Sequence, residues 1–102
     1  MTPCFDTVDE GHVAREKAKA RGLRRTAWWD RQIQAGICHY CGKHVGRADL
    51  TMDHVVPLTR GGRSTKGNIV PACKECNSRK HSLLPVEWAE YLERLRQDGQ
   101  ED

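Results

Sequence analysis

Two cysteine pairs, Cys38-His-Tyr-Cys41 and Cys73-Lys-Glu-Cys76, frame the middle of this 102-residue chain. Each has the C-x-x-C spacing of a zinc knuckle, and Gly42 follows the first as such a turn prefers. Together Cys38, Cys41, Cys73 and Cys76 supply four thiolates, the tetrahedral set favoured by Zn²⁺, with no coordination position left open for reaction. The expected zinc is therefore structural. A redox role for the pairs fits less well, because redox C-x-x-C motifs usually come singly and before a helix in a βαβ setting, which is absent here. His39 and His44 flank the first pair as competing ligands, and Cys4 reads as a spare thiol. Between the pairs lie 31 residues, Gly42 to Ala72, where a zinc ribbon needs only about 15 to 20. That insert holds Asp53-His54, Pro57, Gly61-Gly62 and Asn68, and the second pair runs straight into Asn77, Lys80 and His81. A lone histidine is usually packing or surface. An Asp-His pair ending a short strand, followed by a glycine loop, an Asn and a second Asn borne by a knuckle, is far more specific.

Cys38 to Lys80 reads C-H-Y-C-G, then L-T-M-D-H-V-V-P-L-T-R-G-G, then N-I-V-P-A-C-K-E-C-N-S-R-K. In these residues the chain resembles the HNH endonucleases, in the Cys-rich branch that carries a structural zinc around a ββα-metal core. The flanking Trp28-Trp29 segment and L-L-P-V-E-W also look like that branch. The resemblance implies that His54 is the general base and that Asn68 holds the loop that orients its ring. It implies that Asn77 stands where the last H of the name would be, as in His-Asn-Asn members, and that Asp53 and Asn77 bind the catalytic metal. His81, one helical turn after Asn77, matches a weaker third ligand. The chemistry of these side chains agrees. A neutral imidazole, with an ordinary pKa of about 6.5, can take a proton from water. An oxygen-rich, partly open Asp53–Asn77 pair suits Mg²⁺ or Mn²⁺, and ligation by His81 would make Ni²⁺, Co²⁺ or Zn²⁺ better fits. Because neighbouring strand residues face opposite sides, Asp53 and His54 can serve one phosphate only if the strand bends there.

The elements that must position these residues are few. Residues 1–11 read as a flexible terminus, 12–36 as a basic helical arm, 37–84 as the zinc-stapled core, and 85–102 as a C-terminal helix and tail. Within the arm, Gly22 is expected to interrupt the helix and Gly36 to end it, with Trp28 and Ile33 as anchors to the core. Asp49 to Thr59 predicts two short strands around Asp53-His54, Arg60 to Asn68 a loop, and Glu75 to Leu83 a helix. Val86 to Arg96 predicts a last helix with Trp88, Leu92 and Leu95 on one face. The fold class is thus α+β, a ββα core with flanking helices.

Composition narrows the class. Leu, Ile, Val and Phe number only 18, and the net charge is +3, so an ordered core here needs a staple. Between Arg15 and His81 there are 15 Lys and Arg against 5 Asp and Glu, whereas Ser82 to Asp102 has 2 against 6. A basic middle calls for a polyanion, and DNA is the expected partner. Arg60, Arg63, Lys66, Arg79 and Lys80 around the site, and Arg21, Arg24 and Arg25 on the arm, are the candidate phosphate contacts, with Lys80 equally able to pair with Glu75. No apolar run approaches a membrane span and Met1 to Glu10 has no apolar leader segment, so a cytoplasmic protein is expected, as a monomer or weak homodimer. The activity expected is metal-dependent nicking or double-strand cleavage of DNA; the alternative is a non-catalytic zinc-containing nucleic-acid-binding protein.

Overall fold

A computed structural model describes residues 8–99. Cys4 and the ends of both termini lie outside the described residues. Helix α1 (Glu10–Arg24) starts at Asp9, whose side chain accepts the Gly11 N–H, an N-cap that satisfies one otherwise unpaired donor. It runs unbroken through Gly22, since one glycine in a helix costs only about 1 kcal/mol. The break comes instead at Thr26, whose hydroxyl donates to the Leu23 carbonyl at 2.6 Å and accepts the Trp29 N–H, closing α1 and opening α2 (Ala27–Ile33). Trp29 is the buried indole of this short helix, while Trp28 and Ile33 are only half-buried, so the expected anchors are off by one at the tryptophan.

Strands β1 (Leu50–His54) and β2 (Ile69–Cys73) form an antiparallel pair with Leu50 opposite Cys73 and His54 opposite Ile69. The second strand expected just after His54 does not form. The N–H groups of Val55 and Val56 go to the main-chain carbonyl and side-chain oxygen of Asn68, at 2.9 and 2.8 Å, which leaves that stretch as bends. The partner strand is β2 despite Pro71. The proline is tolerated because a two-stranded sheet has only edges, and its carbonyl accepts the His39 N–H at 2.8 Å, tying the first knuckle to the strand. Helix α3 (Lys74–Lys80) follows β2 directly, starting one residue before the expected Glu75 and ending short of Leu83, and α4 (Pro85–Gly99) begins on its proline. The class is α+β as expected, a two-stranded sheet and helix with further helices around it.

The core is small and sulfur-rich. Cys38, Cys73 and Cys76 pack with Ala72 and Trp88, and Tyr40, Val45, Leu50, Leu83 and Tyr91 close around them. Trp88 meets Tyr40 edge-on and stacks on Tyr91. Leu92 and Leu95 are exposed, so the buried face of α4 is Trp88–Tyr91 rather than the expected stripe. The glycine loop is sterically compelled: Gly61 has a φ of 90°, and a Cβ on Gly62 would lie 1.8 Å from the Val56 carbonyl oxygen.

Candidate active site

The four cysteine Sγ atoms lie within 4.8 Å of one another, with Cys41 and Cys73 at 3.9 Å. A tetrahedral ion with bonds of about 2.3 Å needs sulfurs about 3.8 Å apart, so this cluster fits a single metal. Backbone N–H groups of Tyr40 and Cys41 point at Cys38 Sγ, and that of Cys76 at Cys73 Sγ, the donors a thiolate wants. Burial opposes ionisation of Cys38, yet the backbone N–H groups of Cys41, Cys73 and Tyr40, with the Cys41 thiol, outweigh it and draw the thiol down to about 7.

His54 ends β1, and Asn77 sits on α3 just past the second knuckle. Asp53, His54, Asn77 and His81 border one open groove of about 540 Å³, to which α1 contributes Val13 and Lys17. Asp53 and His54 are both paired in the ladder, the chain bends only at Val55 and Val56, and both residues nonetheless line the groove.

The hydrogen bonds settle which atoms remain available. Thr51 Oγ1 donates its one hydrogen to the Ala72 carbonyl at 2.8 Å, so the Asn77 group 2.7 Å from it must be the NH₂. The amide oxygen of Asn77 has no hydrogen-bond partner among the described residues and is placed to act as a ligand. Asp53, 5 % exposed, places Oδ2 against the Tyr40 hydroxyl at 2.5 Å and the Lys80 ammonium at 3.3 Å. Its Oδ1 has no hydrogen-bond partner among the described residues. Burial and this carboxylate push the Tyr40 phenol pKa far up, so it stays a donor. Asn68 uses its whole amide on the loop, accepting from Val56 N and donating to the carbonyls of Val56 and Arg63. His54 Nε2 lies 2.8 Å from Ser64 Oγ. Burial lowers the His54 pKa, with Asp53 and Glu16 opposing and Lys80 and Arg24 adding to the effect, so the ring is neutral at neutral pH. His81, exposed at the end of α3, has φ 48° and ψ −117° and contacts Ser82 Oγ through Nδ1, a strained backbone of the kind that collects at functional sites.

The basic residues fall into different places. Arg21 and Arg24 line a second hollow that shares Lys17, His54 and Leu58 with the groove, whereas Arg25 is exposed beyond the helix end and lines neither. Lys66 lies over the Trp28 ring, Arg79 pairs with Glu75, and Arg63 is exposed. Arg60 reaches the Ser82 carbonyl and Glu87. Lys80 corrects the sequence reading: it is 1 % exposed and its ammonium holds the His54 carbonyl at 3.0 Å as well as Asp53, so it serves the site from within and has no surface to offer a phosphate. Sequence reasoning also missed Tyr40, Thr51, Ser64 and Glu16, none of which has a motif of its own.

Residues 38–83, the segment that carries this geometry, match the family model of the HNH endonuclease. Over those residues the chain is similar to an HNH endonuclease domain, and its two-stranded sheet and following helix agree with the ββα-metal architecture of that family. Among its relatives is the CRISPR-associated endonuclease Cas9 of Actinomyces naeslundii, 33 % identical over 60 residues that make up 58 % of this chain and 5 % of the relative. The Type IV methyl-directed restriction enzyme EcoKMcrA of Escherichia coli is 37 % identical over 59 residues, 52 % of this chain and 21 % of the enzyme. The CRISPR-associated endonuclease Cas9 of Corynebacterium diphtheriae is 32 % identical over 79 residues, 72 % of this chain and 7 % of the relative. The chain thus spans a small part of each. Family and relatives support a nuclease function at the level of the domain.

Proposed function

We propose that this protein is a metal-dependent endonuclease that hydrolyses DNA phosphodiester bonds, with His54 as the general base. The observation that carries the proposal is the meeting of a half-buried imidazole, its pKa lowered by burial, with the Asp53 carboxylate and the Asn77 amide on one open groove that Lys17 and Lys74 also line. In this reading His54 takes a proton from water, the water oxygen bonds to phosphorus, and the bond to the 3′ oxygen breaks, the departing oxygen taking up a proton from solvent in the open groove to leave a 5′-phosphate and a 3′-hydroxyl. Asp53 and Asn77 would hold Mg²⁺ or Mn²⁺, with His81 as a weaker third ligand that would admit Ni²⁺, Co²⁺ or Zn²⁺. The cation, when bound, neutralises charge on the phosphate and on the departing oxygen. Asn68 latches the loop that shapes the site, and the four cysteines hold a structural Zn²⁺. Arg21, Arg24, Lys17, Arg63 and Lys66 are proposed to meet phosphates in DNA, in the cytoplasm. Among the described residues no helix is long and apolar enough to cross a membrane.

A non-catalytic zinc-containing nucleic-acid-binding protein would have the basic surface without need of the His54 arrangement. Nicking of supercoiled plasmid with and without added Mg²⁺ or Mn²⁺ separates the two. Wild type is expected to nick only with metal, and His54→Ala to bind DNA normally while cleaving about 10² to 10⁴-fold more slowly. Metal-dependent cleavage by His54→Ala at the wild-type rate would overturn the assignment.

A further inference from the structure

His54 does not stand alone behind the groove. Its Nε2 lies 2.8 Å from Ser64 Oγ, and Ser64 Oγ lies 2.6 Å from the main-chain carbonyl oxygen of Glu16 on α1. A serine hydroxyl has one hydrogen, and a carbonyl can only accept. The Ser64 hydrogen is therefore committed to Glu16, and its oxygen must accept from the histidine. That puts the imidazole proton on Nε2 and leaves the lone pair on Nδ1, which has no hydrogen-bond partner among the described residues.

Ser64 itself is held from both ends. Its backbone N–H donates to Glu16 Oε1 at 2.7 Å, while the other carboxylate oxygen pairs with Lys19 at 3.0 Å. Ser64 is 6 % and Glu16 4 % exposed, and Glu16 is the one charged side chain that α1 buries. The Ser64 N–H, followed by Lys19, holds the Glu16 carboxyl below its ordinary range. The same helix is fastened to the glycine loop a second time, through His12 Nε2 and the Gly62 carbonyl at 2.8 Å. A buried glutamate on an otherwise polar helix, 48 residues from the serine it grips on both sides, is more than the helix needs for packing.

We propose that Ser64, gripped by Glu16, is a positioning residue that fixes the His54 ring with its proton on Nε2 and its lone pair on Nδ1. This makes the N-terminal helix a structural part of the catalytic apparatus, and it rests on the reading of His54 as the base. The arrangement does for this histidine what a hydrogen-bonded partner does for any catalytic or ligating imidazole: it selects the tautomer and removes the freedom to flip.

The test uses the full chain and two readouts, one independent of cleavage. ¹⁵N-resolved NMR of the His54 ring is expected to find the proton on Nε2 and protected from exchange with water in wild type. Ser64→Ala keeps the backbone N–H that Glu16 Oε1 accepts, so the loop remains held, and it is expected to lose that protected signal; Ser64→Thr retains the hydroxyl and is expected to keep it. In plasmid cleavage, Ser64→Ala is expected to lower kcat by about 10- to 100-fold, the usual effect of removing a group that orients a histidine, with KM for DNA unchanged and Ser64→Thr restoring the rate. A wild-type proton on Nδ1, a protected signal that survives in Ser64→Ala, or a kcat of Ser64→Ala within about twofold of wild type would each overturn the proposal. If wild type itself fails to cleave, the nuclease reading falls, and the NMR result alone then decides whether Ser64 seats the ring.

Discussion

At the scale of single residues, the site is defined by which atoms are already engaged. Thr51 turns the Asn77 amide so that its oxygen is free, and Tyr40 with Lys80 occupies one oxygen of Asp53 and leaves the other. In the proposed reading, one neutral and one singly charged oxygen would make a hard, weakly held cation site whose affinity would rest heavily on Asp53. Asp53→Ala strands the buried Lys80 charge and is expected to destabilise the fold as well as to need far more metal or lose cleavage altogether, whereas Asn77→His is expected to remain active and to shift preference from Mg²⁺ toward Ni²⁺, Co²⁺ or Zn²⁺. Activity titrated against each metal checks this, and unchanged profiles in both variants would place the ligands elsewhere. Lys80 and Arg79 are neighbours with opposite expectations. Lys80 is enclosed with Asp53, and removing one member of a buried pair strands the other charge, so Lys80→Ala is expected to destabilise the fold by about 3 kcal/mol or more. Arg79 is half-exposed and paired on the surface with Glu75, so Arg79→Ala is expected to cost under about 1 kcal/mol. Denaturant unfolding of the two variants measures the contrast. His54, Asp53, Asn68 and Asn77 could be singled out in the sequence because they fall between and directly after the two cysteine pairs, in the pattern that carries the resemblance. Ser64, Glu16, Thr51 and Tyr40 were not, because a serine 48 positions from its glutamate acquires a role only through the tertiary contact.

At the scale of elements, the knuckles take the place of an apolar core. Three of the four cysteines are buried and pack directly on Ala72 and Trp88, so the ion they would share stands at the centre of the chain's packing. Structural zinc contributes on the order of 10 kcal/mol to folding in knuckle-sized peptides. Purified protein is expected to contain about one tightly held zinc per chain, and Cys41→Ser or prolonged chelation to lower the melting temperature sharply, because Cys41 is the exposed ligand whose loss opens the set without carving a cavity. Folded, reduced protein that holds no metal and melts unchanged on chelation would refute the assignment. The same centre explains which elements the sequence concealed. Strand β2 reads I-V-P-A-C, where the proline argues against a strand, and only its place against β1 and the first knuckle makes it one. Val55-Val56 has strand composition, but Asn68 takes both N–H groups first. Helix existence was legible from helix-forming composition in α1 and from apolar spacing in α4. Helix boundaries depended on which hydrogen bonds competed at Thr26 and Lys80.

At the scale of the molecule, part of the basic middle of the chain gathers beside the groove. Helix α1 lies with one side against the Gly61–Asn68 loop, through Glu16 and His12, and brings Lys17, Arg21 and Arg24 to the hollow that adjoins His54. A strand of DNA whose scissile phosphate lay in the groove would meet these side chains next. Phosphate contacts of this kind add affinity without reading sequence, and each releases counterions. If Arg21, Arg24 and Arg25 all become Ala and each had neutralised one phosphate, the slope of log affinity against log salt should flatten by about 3 × 0.9. Arg25 lines neither hollow, so restoring it alone should recover less of the slope than restoring Arg24. Cleavage at saturating DNA should change little, because none of the three is a positioning partner of His54 and Glu16 remains in place. A surface helix kept only for solubility would give the same affinity and the same slope in the triple variant. Binding measured at four or more salt concentrations by fluorescence anisotropy separates the two outcomes, and an unaltered slope would leave α1 with the seating of the base as its only connection to the site.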